Sequence, residues 1–291
     1  MIKNKVVLIL GGNSMIGNQL FKYLLKKKIK TFRTLKNIKY RDSLSFQYNP
    51  LKNFNAIFEI LKKTKPDYII NSIGITKFRN EIKNFKSTIF LNSIYPHKLS
   101  FLCFKKKINL IHLSTDCVFS GKNGNYLDND FPDSDDLYGI SKALGEIRGM
   151  PNCLTLRTSF IGYTIKNKKS FFEWIINSKT EIQGFKKAIY TGFTTNELSK
   201  IIYKIIERRK FLSGLYNVSS YKIDKYQLIK EIIKVFKLRR IKLIVNNKFI
   251  CDRSLNSRAF FKKIKHKVPT WNKMIKEIYL ERKSEINDIK K

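Results

Sequence analysis

Short apolar runs alternate with amphipathic segments through the first half of the chain. Val6–Leu10 is a continuous apolar run of strand length, and Ile16, Leu20 and Leu24 follow it at helical spacing, as expected of a buried parallel strand and the helix that covers it. The same rhythm predicts a strand over Thr31–Leu35, a helix over Asn55–Lys63, a strand over Tyr68–Ile73 and a helix over Asn92–Lys106. A strand over Ile108–Leu113, a helix over Tyr138–Arg148 and a strand over Cys153–Leu156 complete the series. Strands alternating with helices imply an α/β fold built on a Rossmann-type, doubly wound parallel sheet.

After about Arg157 the rhythm loosens. Amphipathic helices are expected at Phe171–Asn177, Thr195–Arg208, Lys225–Phe236 and Trp271–Tyr279, with short strands at Leu215–Val218 and Ile241–Ile244. No low-complexity linker separates the halves and no internal repeat is visible. The expected division is a dinucleotide-binding domain over residues 1–157 and a smaller, mainly substrate-binding lobe over 158–291, some of whose segments return to the sheet.

Composition adds a core and a charge. With 43% hydrophobic residues, 291 residues can bury a substantial interior. The balance of 59 Lys+Arg against 22 Asp+Glu gives a formal net charge of +37, a value that raises nucleic acid or an anionic membrane as partners. The basic residues are nevertheless scattered, at Lys26–Lys28, Lys105–Lys107, Lys186–Lys187, Arg208–Lys210, Arg239–Arg240 and Lys262–Lys263, mostly where helices end or turns begin. Heavy use of Lys, Ile, Asn, Phe and Tyr matches A/T-rich codons, so the charge reads as genomic bias, and neither a nucleic-acid nor a membrane partner is expected. Cys103, Cys117, Cys153 and Cys251 lie far apart with no Cys-x-x-Cys pair, a pattern of reduced thiols with no metal site. The apolar run that follows Lys5 is too short for a signal segment, so a soluble, cytoplasmic protein is expected.

The candidate chemistry begins at Gly11-Gly12-Asn13-Ser14-Met15-Ile16-Gly17, a glycine turn between the first strand and the first helix. Glycine there lets the backbone approach a pyrophosphate, whose charge meets the free N–H groups of Asn13, Met15 and Ile16 at the helix N-terminus. Serine stands at position 14, where a middle glycine is common. An NAD site of this kind carries an acidic residue roughly 20 residues further on. None exists here, the first acid of the chain being Asp42, whereas Arg33, Thr34 and Lys36 close the second strand and suit a 2′-phosphate. NADPH is therefore expected as cofactor, with NADH as the alternative.

Tyr138-Gly-Ile-Ser-Lys142 follows the run Leu113-Ser114-Thr115-Asp116. On a helix the two side chains share a face, so the Lys142 ammonium is expected beside the Tyr138 phenol, lowering its pKa from about 10 toward useful acid chemistry, with the Thr115 hydroxyl orienting a substrate oxygen. The spacing alone is uninformative. It recurs at Tyr23/Lys27, Tyr48/Lys52, Tyr221/Lys225, Tyr226/Lys230 and Tyr279/Lys283, so context selects Tyr138.

On these residues the chain resembles the extended short-chain dehydrogenase/reductases, and within them the dTDP-4-dehydrorhamnose reductase (RmlD-like) group of sugar-nucleotide reductases. The resemblance includes the glycine turn, Asn71-Ser72-Ile73-Gly74, Asn92, Ser114-Thr115-Asp116-Cys117-Val118-Phe119-Ser120-Gly121 and Tyr138–Lys142. It continues through Leu156–Ser159 and Arg253-Ser254-Leu255-Asn256-Ser257-Arg258 to Pro269-Thr270-Trp271. It implies Thr115, Tyr138 and Lys142 as the catalytic set, Lys142 also binding the nicotinamide ribose. Asn71, Gly74 and Ile75 would lie along the adenosine and ribose, and Ser114 near the nicotinamide. The implied activity is NADPH-dependent reduction of a 4-keto-6-deoxy sugar on dTDP or UDP, in surface-polysaccharide synthesis; a homodimer is in keeping with the superfamily.

Cys117 stands where the group has an aromatic, in a loop that faces substrate, and no Glu follows Asp116, which favours reduction over dehydration. Thr194, Thr195, Arg253 and Arg258 are candidates to contact the substrate's base or diphosphate. The acids Asp130, Asp133, Asp135 and Asp136 before Tyr138 read as turn and helix caps rather than a metal site. His97, His112 and His266 receive no role. Two alternatives stay open: a 4-epimerase that returns bound NAD to its starting state, and a non-catalytic NADP-binding subunit that regulates a partner enzyme.

Overall fold

The computed structural model describes residues 5–37, 42–77, 80–164 and 170–289. Its first half runs β1 (Val6–Leu10), α1 (Met15–Lys26), β2 (Lys30–Leu35), β3 (Ser45–Gln47), α2 (Ala56–Thr64), β4 (Tyr68–Asn71), α3 (Phe85–Ile89), α4 (Tyr95–Lys105), β5 (Asn109–Leu113), α5 (Leu137–Leu144) and β6 (Cys153–Arg157). The second half runs β7 (Phe160–Ile161), α6 (Phe171–Asn177), β8 (Glu181–Phe185), β9 (Ala188–Tyr190), β10 (Phe193–Thr194) and α7 (Thr195–Glu207). It ends with β11 (Gly214–Asn217), β12 (Ile223–Asp224), α8 (Lys225–Phe236), β13 (Lys242–Asn246), β14 (Cys251–Asp252), α9 (Arg258–Ile264) and α10 (Trp271–Ile289).

Seven strands form one parallel sheet in the order β11-β6-β5-β4-β1-β2-β3. Side chains alternate across it, so Val7 and Ile9 enter one core with Ile16, Leu20, Leu24 and the apolar stripe of α7, while Leu8 and Leu10 enter the other with Ile57, Ile60, Leu99 and Leu102. Both faces are covered, which is why the strands read as unbroken apolar runs rather than alternating ones. Strand order reverses between β1 and β4, and their ends at Leu10 and Asn71 open the crevice in which such sheets hold ligands.

Three smaller assemblies stand beside the sheet, one of them the parallel pair β7 and β10. β12 and β14 flank β9, with Ile223 opposite Tyr190 and Cys251 opposite Ala188, and β8 pairs in parallel with β13. β14 is tied to the segment after Thr115 by Asp252 N–H donating to the Gly121 carbonyl at 2.7 Å. The scattered basic residues do mark element ends: α2, α8 and α9 are capped by Lys65, Lys237 and Lys265 in the left-handed conformation, at φ of 43°, 54° and 50°.

Three predicted elements differ. The helix expected over Asn92–Lys106 is α3 and α4 joined by a π-helical turn at Phe90–Ile94, with Pro96 in the first turn of α4. The helix expected to reach Arg148 ends at Leu144, because Gly145 packs against the Asn92 carbonyl where no side chain fits. Trp271–Tyr279 extends to Ile289, since no Gly or Pro interrupts the chain there.

Candidate active site

The glycine turn is built for a close backbone approach. Gly11 sits at φ +86°, and a Cβ on it would meet Ser72 Oγ at 2.9 Å, while one on Gly17 would strike the Gly11 carbonyl. Ser14 is the N-cap of α1: its hydroxyl accepts from Gly17 N–H at 2.9 Å and bonds Ser72 Oγ at 3.1 Å. This explains serine in the middle position, where it closes the turn onto the end of β4. Gly11 N–H donates to Thr34 Oγ1 and Gly12 N–H to the Thr34 carbonyl. Asn13, Met15 and Ile16 follow at the start of α1, whose first turn holds no acidic residue, leaving the dipole uncompensated.

Arg33 lies over this turn. Its guanidinium stacks 4.1 Å from the Phe21 ring centroid, and its Cβ comes so near Gly12 that an added methyl would sit 2.7 Å away. Nε donates to Ser45 Oγ at 2.9 Å and Nη2 lies 3.4 Å from Asp42 Oδ2. Asp42, remote from the turn in sequence, is thus brought to Arg33. Partial burial would raise its carboxyl, but bonds from Ser45 and Leu44 and the Arg33 charge hold it below the usual range.

Asn71 and Gly74 line the loop beyond β4. Asn71 Oδ1 accepts from Ile73 N–H and Nδ2 lies 3.1 Å from His112 Nδ1, in full burial. Burial, then the Lys142 charge, drives His112 well below its ordinary pKa. The π-helical turn aims Asn92 at the same loop: Oδ1 accepts from Ile75 N–H at 2.8 Å, and Nδ2 donates to the Ile75 carbonyl and to Ser141 Oγ. Asn92 therefore couples the loop after β4 to the helix that carries Tyr138.

At the end of β5, Thr115 Oγ1 donates to Asp116 Oδ1 at 3.2 Å and accepts from Cys117 N–H. α5 is capped by Asp136, which accepts from Gly139 N–H at 2.8 Å and pairs with Lys77 at 2.6 Å. Gly139 lies so close to the Cys117 carbonyl that no side chain could stand between them, which seats Tyr138 beside Thr115. Burial pushes the Tyr138 phenol well above its ordinary range, the Cys117 thiol adding to the rise and a hydrogen bond with Thr115 opposing it.

That is the reverse of the shift expected from Lys142. The Lys142 amine turns inward, donating to the Leu113 carbonyl at 2.8 Å, and burial lowers it to about 8 against an opposing pull from Glu146. Spacing brings the two residues onto one helix, but the strand-end carbonyl takes the ammonium.

Beneath Ser114 lies a network that spacing does not reveal. Ser114 Oγ donates to Glu146 Oε1 at 2.9 Å, and the fully buried Arg157 donates to both Glu146 oxygens at 2.7 and 2.8 Å. Arg157 also covers the Phe119 ring at 4.8 Å. Arg157 appears in a sequence motif, but Glu146 lies beyond α5 with no periodic signal.

The substrate candidates separate. Arg253 Nε donates to the Phe119 carbonyl at 2.8 Å and Nη1 lies 3.5 Å from Cys117 Sγ, bringing Arg253 and Cys117 together beside Thr115. Burial raises the Cys117 thiol to about 12. Thr194 and Thr195 are not brought to this face as open ligands: Thr194 is the buried N-cap of α7 and Thr195 packs against Gly162. Arg258 is exposed at the start of α9, and among the described residues no bond joins it to the Thr115–Gly121 segment. Three of the four acids before Tyr138 are engaged in turns and caps, Asp130 by Leu127 N–H, Asp133 by Ser120 and Asp136 by Gly139 N–H. Of the unassigned histidines, His97 bonds the Leu144 carbonyl and His266 pairs with Glu197 at 2.6 Å.

A parallel sheet with a glycine turn at its point of reversal, and a Thr, Tyr and Lys clustered at the end of β5, together define a Rossmann-type protein of the extended short-chain reductase pattern. The chain belongs to the family of the RmlD substrate binding domain, whose profile matches residues 5–283. It is 34% identical over 109 residues to a probable low-salt glycan biosynthesis reductase of Haloferax volcanii, spanning 36% of each chain. It is 27% identical over 161 residues to a spore coat polysaccharide biosynthesis protein of Bacillus subtilis, covering 54% of this chain and 56% of that protein. The fold matches a crystal structure of dTDP-4-dehydrorhamnose reductase from Bacillus anthracis in complex with NADP, with a TM-score of 0.78 at 20% identity over 96% of this chain and 99% of that one.

Proposed function

We propose that this protein reduces a nucleotide-linked 4-keto-6-deoxy sugar with NADPH, within sugar-nucleotide synthesis for surface polysaccharide. The observation that carries the reading is the packing of the helix of Tyr138 against the Thr115–Val118 segment, with Gly139 close against the Cys117 carbonyl, at the C-terminal end of β5 on the ligand-binding side of the sheet. The biosynthetic roles of the two relatives and the NADP in the Bacillus anthracis structure support it.

The residues fit a dinucleotide. The turn from Gly11 to Gly17 excludes side chains where a pyrophosphate would lie against the start of α1, and Asn71 and Gly74 border the space beyond it. The chemistry supplied by bound NADPH is hydride donation to the carbonyl carbon. Thr115 turns its hydroxyl from Asp116 to the substrate oxygen and orients it. Tyr138, protonated throughout the neutral range, gives its proton to the alkoxide, and Lys142 holds the nicotinamide ribose. Ser114, fixed by Glu146, lines the nicotinamide side.

The test is NADPH oxidation with dTDP-4-dehydrorhamnose and with UDP-linked 4-keto sugars. Stoichiometric NADPH consumption is expected; turnover without net consumption would instead indicate an epimerase. In the same assay Arg33→Ala should raise the KM for NADPH about 10–100-fold and leave that for NADH little changed, the value of a charge-assisted bond to a 2′-phosphate. A wild-type preference for NADH would remove that role from Arg33.

Among the described residues no helix is long and apolar enough to cross a membrane. The reading places the protein in the cytoplasm, in keeping with four free thiols, and cell fractionation tests this. It also makes the protein a homodimer through α4 and α5, where Phe101, Phe104, Ile140 and Leu144 stand exposed, with Ile94 in the turn before α4. Sedimentation should give a dimer for wild type and a monomer for Phe101→Glu; a monomeric wild type would exclude the interface.

A further inference from the structure

Lys225 opens α8, where the helix dipole favours an anion, and its own Nζ lies 3.7 Å from the Tyr190 ring centroid and 4.5 Å from that of Phe171. Among the described residues no carboxylate pairs with it. Its neighbour Asp224 is engaged in capping, accepting from Gln227 N–H at 2.7 Å. The two rings attract this cation, but the helix dipole opposes it and no carboxylate neutralises it, a local conflict of the kind that marks places where a ligand supplies the counter-charge.

Its position identifies the ligand's side of the cleft. Tyr190 pairs with Ile223 across β9 and β12, and β14 on the other side of β9 leads into Arg253. Arg253 in turn grips the Phe119 carbonyl and touches Cys117 Sγ. The small three-stranded sheet thus delivers two cations to the loop that begins at Thr115. The acidic groups whose fields reach Lys225 are Asp116, Cys117 and Cys251, and burial has lowered its ammonium to about 8. Asp116, which accepts from the neutral Thr115 hydroxyl, keeps its charge and offsets one of the two cations, while the other nearby acids are paired, Asp136 with Lys77 and Asp252 with Lys222. One cation remains in excess at the small Cys117 side chain.

We propose that Lys225 and Arg253 clasp a carboxylate carried by the sugar itself, so that the substrate is a nucleotide-linked acidic sugar. This rests on the nucleotide-sugar reading above and names its substrate class, but not on the 6-deoxy carbon, since a C6 carboxylate and a C6 methyl exclude one another. The sugar rather than the diphosphate is assigned because Cys117, which Arg253 touches, lies two residues from Thr115 and against the helix of Tyr138, at the reacting end of the cleft.

Calorimetric titration of the full chain with two matched pairs, UDP-glucuronate against UDP-glucose and dTDP-glucuronate against dTDP-glucose, isolates the carboxylate because base and diphosphate are constant within each pair. With the accepted base, the acidic sugar should bind at least about tenfold more tightly, the range of one charge-assisted pair. That preference should fall to within about twofold in Lys225→Met and return in Lys225→Arg, with NADPH affinity unchanged in both. Equal binding of acidic and neutral sugars by wild type overturns the clasp and leaves the nucleotide-sugar reading standing, whatever the variants do. A preference retained in a folded Lys225→Met overturns it also. Failure of wild type to bind any of the four removes the nucleotide-sugar reading and the clasp with it.

Discussion

Replacing Tyr138 with phenylalanine should lower kcat for ketone reduction by about 10²–10⁴-fold, the range of a general acid, while leaving NADPH affinity nearly unchanged. The substitution removes one hydroxyl and keeps the ring, so the seat of α5 against the Cys117 carbonyl through Gly139 persists. Lys142 also keeps its place, since its amine is held by the Leu113 carbonyl and not by the phenol. The two assays therefore separate: stopped-flow reduction reads the lost proton, and fluorescence titration of NADPH reads an intact cofactor site. Thr115→Val should behave differently, because its hydroxyl also accepts from Cys117 N–H and its loss reshapes the loop. If Tyr138→Phe retained wild-type turnover on a confirmed substrate, the proton would have another source.

The raised phenol changes what Lys142 is expected to do. A general acid must arrive protonated, and burial guarantees this for Tyr138 at neutral pH. An adjacent ammonium would make a better proton donor of it, but in this structure Lys142 is turned away, enclosed, and lowered to about 8. Lowering that pKa means the buried amine resists its charge, and a bound ribose offering hydroxyl acceptors would favour the charged form again. Assistance from Lys142 is thus expected in the ternary complex rather than in the free enzyme.

What was legible in the sequence follows from locality. Apolar runs of strand length gave every central strand of the sheet's first half because parallel strands are buried on both faces, and the turn at Gly11–Gly17 is a contiguous motif. Tyr138 was recoverable only through its neighbours, since five other tyrosines share its spacing to lysine. Lys225 belongs to one of those decoy pairs, with Tyr221, and nothing local distinguishes it. Its aromatic surroundings come from Phe171 on α6 and from Tyr190, the latter joined to it by strand pairing that period and propensity do not specify. Thr194 shows the converse: threonine at a strand-to-helix junction suits a ligand or a cap equally, and here its buried hydroxyl caps α7.

Glu146→Ala should be among the most destabilising single substitutions in the protein, costing about 3–5 kcal/mol. Arg157 is fully buried and rests on both Glu146 oxygens, so deleting the carboxylate leaves a guanidinium in the interior with the Asp128 and Asp130 carbonyls and the Phe119 ring but no paired carboxylate. The melting temperature should fall by on the order of 10 °C. Ser114→Ala, which removes a single bond to the same carboxylate, should cost only about 1 kcal/mol. The asymmetry arises because an unpaired buried charge is far costlier than a lost neutral donor. A double substitution, Glu146→Leu with Arg157→Met, should therefore be more stable than Glu146→Ala alone, since both charges leave together. Thermal unfolding of the three variants ranks these costs, and a double variant less stable than Glu146→Ala would show that the pair contributes more than mutual neutralisation. Activity in the double variant then reads position alone: Ser114 would have lost its acceptor in a core that still packs, and a rate loss without a stability loss would trace the effect to the nicotinamide side of the cleft.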